Sequence, residues 1–345
     1  MPTTKASPSR RSRNRMAPFW LGVALLSGAG ECAFLGAAGL VSEPVGCIRV
    51  VIPSPATGET TSKVLGIPFN RASVFRGIVT SVSGATIKAG TPAWSSGQFV
   101  SELHYLKFRT GPSAGRYFPV TANTADTLTL SAPGVTIAEK QVFEIFPAQT
   151  LGSLFGTASV ALRTGASEAS ADLVRIHNGT AWNTYFHTGT QWQISGGTSS
   201  QNGTIIRPEQ GIIVVASGTS PVSLALRGSV SITSEASVIP GSGEALVANR
   251  LPFATTLSAL KIQSLAGWSK GVSASVADNL MSWNGSSWNV YYHTGARWQM
   301  AGSQASQDGA SLPAGESLLI RRRDGSTASA AFLDTAAPFT YTLSE

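Results

Sequence analysis

Charge and cysteine are both scarce in this chain. Asp, Glu, Lys and Arg make up 12% of its 345 residues, about half the usual quarter. Two cysteines are present, Cys32 and Cys47. Long stretches rich in Ala, Glu, Lys, Leu and Arg are missing, which excludes a coiled coil or helical bundle as the main architecture. No Gly-x-Ser-x-Gly elbow stands in a strand-to-helix setting, and no glycine-rich loop carries a phosphate-binding lysine. No His or Cys pair stands at metal-ligand spacing. Hydrophobic residues are 42% of the chain, enough for a sizeable core and against wholesale disorder.

The net charge of +7 is unevenly placed. Lys5, Arg10, Arg11, Arg13 and Arg15 outweigh Glu31 in residues 1–39, and the remainder carries +3. A nucleic-acid partner needs basic residues gathered on one face. The dense cluster elsewhere, Arg321-Arg322-Arg323, closes the apolar run Leu318-Leu319-Ile320 and is expected to be a solvated strand end. No nucleic-acid partner is expected.

The basic residues precede an apolar run from about Met16 to Val41, rich in Ala, Gly and Leu. A charged start, a short apolar segment and small residues before a boundary describe a secretory signal. Residues 1–39 are read as a signal peptide, with small pairs Gly36/Ala38 or Ala37/Gly39 before the cut. An uncleaved anchor is the competing reading, but Glu31 mid-run is costly in lipid. Export leaves Cys47 as the sole mature thiol, expected to be a small buried hydrophobe in the run Val45–Ile52.

What is abundant is repetition. Residues 171–193 and 277–299 align without gaps at an offset of 106. The shared positions are Asn178/Asn284, Trp182/Trp288, Tyr185/Tyr291, His187/His293 and Trp192/Trp298. Upstream, Ile52-Pro53, Gly58-Glu59 and Ile67-Pro68-Phe69 match Ile239-Pro240, Gly243-Glu244 and Leu251-Pro252-Phe253. Downstream, Pro208, Gly211 and Ile212–Val215 match Pro313, Gly315 and Leu318–Ile320. A fixed internal period points to a repeated structural unit. The division is therefore a first unit over 40–228, interrupted by an inserted module over 76–145, and a second unit over 229–345.

Both units read as β. Alternating segments flank Asn178-Gly179 and Asn284-Gly285, a strong hairpin signal. Short strand-like runs at regular spacing suggest sandwiches or barrels. At most a short helix is expected near 151–164, with a counterpart near 257–270. The insertion offers six runs: Gly77–Val82, Thr86–Lys88, Phe99–Phe108, Gly115–Thr121, Thr127–Leu130 and Val142–Ile145. Such a set suits a small barrel or a compact sheet. The expected fold is all-β, with two homologous sandwich or barrel-like units.

Val45-Gly46 before an apolar strand, Ile67-Pro68-Phe69, Gly115-Arg116-Tyr117-Phe118 through Thr127–Leu130, Phe143-Glu144-Ile145 and Thr150–Phe155 together set up a family likeness. The chain from residue 45 resembles an uncharacterised family of secreted, β-rich bacterial proteins with an Asn-Gly…Trp…Tyr hairpin motif. The resemblance implies a signal peptide and an extracytoplasmic location, and no activity. Cys47 and the second hairpin copy depart from that pattern.

The candidates for chemistry are few. His104, His177, His187 and His293 are scattered, and His187 and His293 each precede Thr-Gly, as turn-flanking residues do. Asp172 and Asp278 are repeat-equivalent and stand where a carboxylate caps backbone N–H groups. Asn178, Asn202 and Asn284 form nominal glycosylation acceptors that hairpin chemistry already explains. The ligand-binding candidates are the recurring aromatics Trp182, Tyr185, Trp192, Trp288, Tyr291 and Trp298, joined by Trp283. They either fill the core or stack on sugar rings. Their duplication favours the core, so Trp182 and Trp288 are expected to be mostly buried. Tyr185 and Tyr291, three residues on, then lie on the opposite strand face.

These readings point to a non-catalytic structural or interaction protein, secreted, periplasmic or on the cell surface. Its partners would be envelope or matrix components or a polysaccharide, and no cofactor or metal is expected. A glycan-binding module using exposed aromatics is the first alternative. A hydrolase with an unrecognised carboxylate pair in a cleft is the second.

Overall fold

The computed structural model describes residues 44–131, 136–158 and 160–323, and the backbone of 330–335. The basic run, the apolar segment and the expected signal cleavage points lie outside these residues. The described chain is all-β, with several antiparallel sheets, one closed barrel of six strands and one short helix, Leu151–Phe155. That helix starts at Thr150, whose hydroxyl accepts the Ser153 amide while the Ser153 hydroxyl accepts the Thr150 amide. Near 257–270 the chain makes only a three-residue 3₁₀ turn, Ile262–Ser264.

Two five-stranded sheets share one strand order. The first runs Trp192–Ile194, Trp182–His187, Leu173–His177, Ile212–Ala216, Thr61–Leu65. The second runs Trp298–Met300, Trp288–His293, Asn279–Trp283, Ser317–Arg322, Gly243–Ala248. Each is accompanied by a two-stranded ribbon, Val45–Ile52 with Val222–Ser229 and Glu235–Pro240 with Ala330–Thr335. Strand pairing refines the upstream equivalence. Ser62 lies opposite Val215 and Glu244 opposite Arg321, so Ser62, not Glu59, is the counterpart of Glu244.

The hairpin tips fall on Asn178-Gly179 and Asn284-Gly285. Only the glycines take positive φ, +109° and +107°. The asparagines instead accept backbone amides two and three residues on with Oδ1, at 2.9 to 3.0 Å. These are four-residue loops held by an Asx turn rather than two-residue primed turns.

Between Thr61–Leu65 and Leu151–Phe155, the chain forms the barrel: Phe75–Ser83, Thr86–Ala89, Thr127–Leu130, Tyr117–Asn123, His104–Phe108 and Val142–Pro147, closing on the first. Register shifts at Val79/Ser81 and Val120/Ala122 bend two strands, as closure requires. Its interior is filled by side chains, among them Ile87, Leu106, Phe108, Leu128 and Phe143. The run from Phe99 is a turn as far as Leu103 and pairs as a strand only from His104.

Three hydrophobic cores result, one per sheet system and one in the barrel. The two sheet systems meet reciprocally. Leu65 bridges to Glu316, and Val247 bridges to Gln210. Leu65 faces Ile212 in its own sheet as Val247 faces Leu318 in the other. The Gly66 amide donates to the Gly315 carbonyl and the Ala248 amide to the Glu209 carbonyl, both at 2.9 Å. Each system thus offers the other the same patch, the pattern of a two-fold interface.

A buried polar knot ties the barrel to both. Lys107 Nζ donates to Glu235 Oε1 at 2.7 Å, and Arg250 Nη2 donates to Asn70 Oδ1 at 2.9 Å and to Tyr117 Oη at 2.8 Å. Arg250 Nη1 donates to the Ile67 and Pro208 carbonyls. Burial pushes the Glu235 carboxyl up, but Lys107 and Arg250 outweigh it and hold it below the usual carboxylate range. Burial lowers the Lys107 pKa and raises that of Tyr117. Gly115 lets the barrel approach here. Its φ is +81°, and a Cβ would meet the Ser234 carbonyl oxygen at 2.8 Å.

Two expectations are corrected at this level. Cys47 is exposed, because one face of its ribbon is covered and alternation sends Val50 and Ile52 inward and Cys47 and Val51 outward. Arg322 is not a solvated strand end but 2% exposed. It donates to Asp278 Oδ2 at 2.8 Å and lies 5.4 Å from the centre of the Trp268 ring.

Candidate functional site

The six candidate aromatics divide into two groups. Tyr185 and Trp192 belong to the core of the first sheet system, Tyr291 and Trp298 to that of the second. Trp192 and Trp298 are fully buried, whereas Trp182 is 43% exposed and Trp288 half-buried. The expectation for Trp182 and Trp288 is therefore corrected. Tyr and Trp do lie on opposite strand faces, but the smaller Tyr points inward. Register decides it: Tyr185 stands opposite buried Val174, and Trp182 stands at the loop end opposite His177. At the tips, His177 and Trp182 meet edge-to-face at 5.2 Å, and Trp283 and Trp288 meet at 5.3 Å.

The histidines serve the turns. His187 Nδ1 accepts the Gly189 amide at 3.1 Å while Nε2 lies 3.0 Å from the Thr157 carbonyl. His293 Nδ1 accepts the Gly295 amide at 3.0 Å. Burial, with Lys270 adding, pushes the His293 pKa below its ordinary value. Among the described residues no three His, Cys, Asp or Glu side chains are grouped to hold a metal.

Asp172 and Asp278 are buried and anchor backbone. Asp172 accepts the Arg163 and Ser217 amides, each at 2.8 Å. Asp278 accepts the Ser269 and Arg323 amides at 2.8 and 2.7 Å, and also the Arg322 guanidinium. The donor positions correspond at the repeat offset. This is scaffold chemistry.

The open space lies on the seam between the sheet systems. A cleft of about 540 Å³ has Trp283, Asn284, Asn289 and Tyr291 from the second hairpin on one wall. Pro53 and Thr61–Lys63 from the first system form the other. Trp283 Nε1 donates to the Ser62 carbonyl at 2.9 Å, and Lys63 pairs with Glu316, both across the seam. Glu316 is the one carboxylate among the described lining residues.

The reciprocal position holds smaller space. A cleft of about 290 Å³ places His177 and Gln210 of the first system against Pro240 and Glu244 of the second. A neighbouring one of about 330 Å³ sets His177, Asn183 and Tyr185 against Tyr105 of the barrel. Glu209 and Glu244 line the first of these, each ion-paired to an arginine: Arg207 at 3.6 Å and Arg321 at 2.5 Å. At the repeat offset, His177 replaces Trp283, Gln210 replaces Glu316 and Arg207 replaces Pro313.

Trp283, Lys63 and Glu316 were beyond sequence reasoning as a group. The hairpin repeat singles out Trp283, but nothing in the sequence brings Lys63 across 253 positions to Glu316. Comparison with family models, with curated proteins and with solved structures yields no match.

Proposed function

We propose that this chain is a non-catalytic, exported interaction protein, made of two copies of one β unit with a barrel inserted in the first. The carrying observation is the seam. Each copy aims its aromatic hairpin across a reciprocal contact at its neighbour, leaving clefts whose walls come from both. Junctions between packed units are preferred places for ligands. The cleft beside Trp283 has a single carboxylate among its described lining residues, already paired with Lys63, whereas glycoside hydrolysis by the usual route takes two. Asp172, Asp278, His187 and His293 are spent on backbone, which favours binding over catalysis. The basic start and apolar run of residues 1–41 support an extracytoplasmic destination, and the partner is an envelope or matrix component.

Two measurements test this together. N-terminal sequencing of the mature chain from fractionated cells is expected to find cleavage between about residues 36 and 40. Purified full-length protein mixed with isolated envelope material is expected to sediment with it, without releasing reducing sugar or free amine. A cytosolic chain still beginning at Met1 that stays in the supernatant overturns the proposal. Release of soluble product would make the protein a hydrolase.

A further inference from the structure

We infer that the cleft beside Trp283 is a binding site for a neutral polysaccharide chain. This rests on the interaction reading above and names its ligand class. Four features carry it. Trp283 is a rigid apolar platform, its indole pinned by the bond from Nε1 to the Ser62 carbonyl at 2.9 Å and braced edge-to-face by Trp288. Sugar rings present C–H faces that pack on such rings, whose electron-rich faces attract the positive edges of C–H groups.

The polar groups around it suit hydroxyls. Asn289 brings a side-chain amide, which both donates and accepts, and Tyr291 brings a phenol of the same dual capacity, while the Asn284 amide is taken up by its own turn. Asn284 Nδ2 donates to Asn289 Oδ1 at 3.3 Å, which sets the amide of Asn289 with its own donors facing elsewhere. A ligand whose every polar group is a hydroxyl can satisfy such a mixed set. One with only acceptors cannot.

Charge selects against anions. Lys63 is neutralised by Glu316, so the pair offers a donor and an acceptor side by side with no net charge. At the corresponding place in the first unit Ala245 stands for Lys63 and Gln210 for Glu316, so this neutral pair belongs to the cleft beside Trp283. Size agrees as well: about 540 Å³ falls within the roughly 300–1,000 Å³ of small-ligand sites.

The test uses the full-length protein and follows tryptophan fluorescence and titration heat. Cello-, xylo-, laminari- and N-acetylated chito-oligosaccharides are the neutral probes. An oligogalacturonate is the anionic one, and an unstructured peptide mixture is the protein-like one. Saturable binding of at least one neutral probe is expected. Trp283→Ala should weaken it by about tenfold or more, as for a central aromatic anchor, and Asn289→Ala by several-fold, with Trp182→Ala unchanged. Trp283→Phe, which shrinks the stacking face and loses the bond to the Ser62 carbonyl, serves if Trp283→Ala fails to fold and should weaken binding several-fold. No neutral binding while the protein still sediments with envelope material overturns this inference and leaves the interaction reading standing. Loss of both overturns both. Binding that survives Trp283→Phe and Asn289→Ala unchanged, or that prefers the oligogalacturonate or the peptides, places the site or the ligand class elsewhere.

Discussion

The two β units solve the same local problems with different partners. In the first, buried Asp172 is held by two backbone amides and the Ser217 hydroxyl. In the second, Asp278 keeps the two amides and adds buried Arg322. The residue at Arg322's place in the first unit is Ala216. The same holds for the core tryptophans. Trp192 Nε1 donates to the Gly156 carbonyl at 2.9 Å, just after the short helix. Trp298 Nε1 is buried with no hydrogen-bond partner among the described residues, and no α-helix stands at the matching place there. A backbone need, two amides to be accepted, is kept in both units. The side chains that surround it are free to differ.

The largest expected effect lies in the aspartates. Asp278→Ala should cost about 3–5 kcal/mol, because it takes a buried carboxylate from buried Arg322 as well as from two backbone amides. Asp172→Ala should cost roughly 2–3 kcal/mol, the loss of hydrogen bonds to two buried amides. Denaturant unfolding measures both. The double variant Asp278→Ala/Arg322→Ala should fall back toward the Asp172→Ala value. If it does not, the arginine is not what separates the units.

The tryptophans come next. Trp192→Phe strands the Gly156 carbonyl and should cost roughly 1–3 kcal/mol. Trp298→Phe leaves a comparable cavity but removes a donor without a partner, so it should cost about 1 kcal/mol less than Trp192→Phe. Equal losses would show that the two indoles are equally satisfied in solution.

A smaller effect is expected from pH. The folded-state pKa of His293 lies below the ordinary value of about 6.5. The unfolded chain therefore takes up the proton first, and stability is lost as pH falls from about 6.5 through the folded pKa. In His293→Gln that part of the slope should vanish when unfolding is followed against pH. The smallest effect is Trp182→Ala, within about 0.5 kcal/mol for an exposed side chain. A loss comparable to that of a core aromatic would mean that Trp182 is covered in solution.

Much of the architecture was legible in the sequence because turn chemistry is local. The all-β class and both Asn-Gly tips follow from residues within a few positions of one another, as do the six strands of the barrel segment. What was not legible depends on which face gets covered. An apolar run points Cys47 inward because it does not say that only one side of its ribbon meets the core. Recurrence in both units points Trp182 inward, but register to Val174 gives that place to Tyr185. Arg322 looked like surface charge because its anion lies 44 positions away. Lys107 and Glu235 are 128 positions apart, and nothing local marks them as a pair.

The central claim is that the seam between the two units is where this protein meets its partner. Hydrogen exchange of the full-length chain, with and without soluble polysaccharide extracted from the producer's envelope, tests it directly. The account predicts slowed exchange over Thr61–Leu65 and across the hairpin of Asn279–Trp283 and Trp288–His293. Protection confined to the barrel strands from Phe75 to Pro147, or none anywhere, would contradict it.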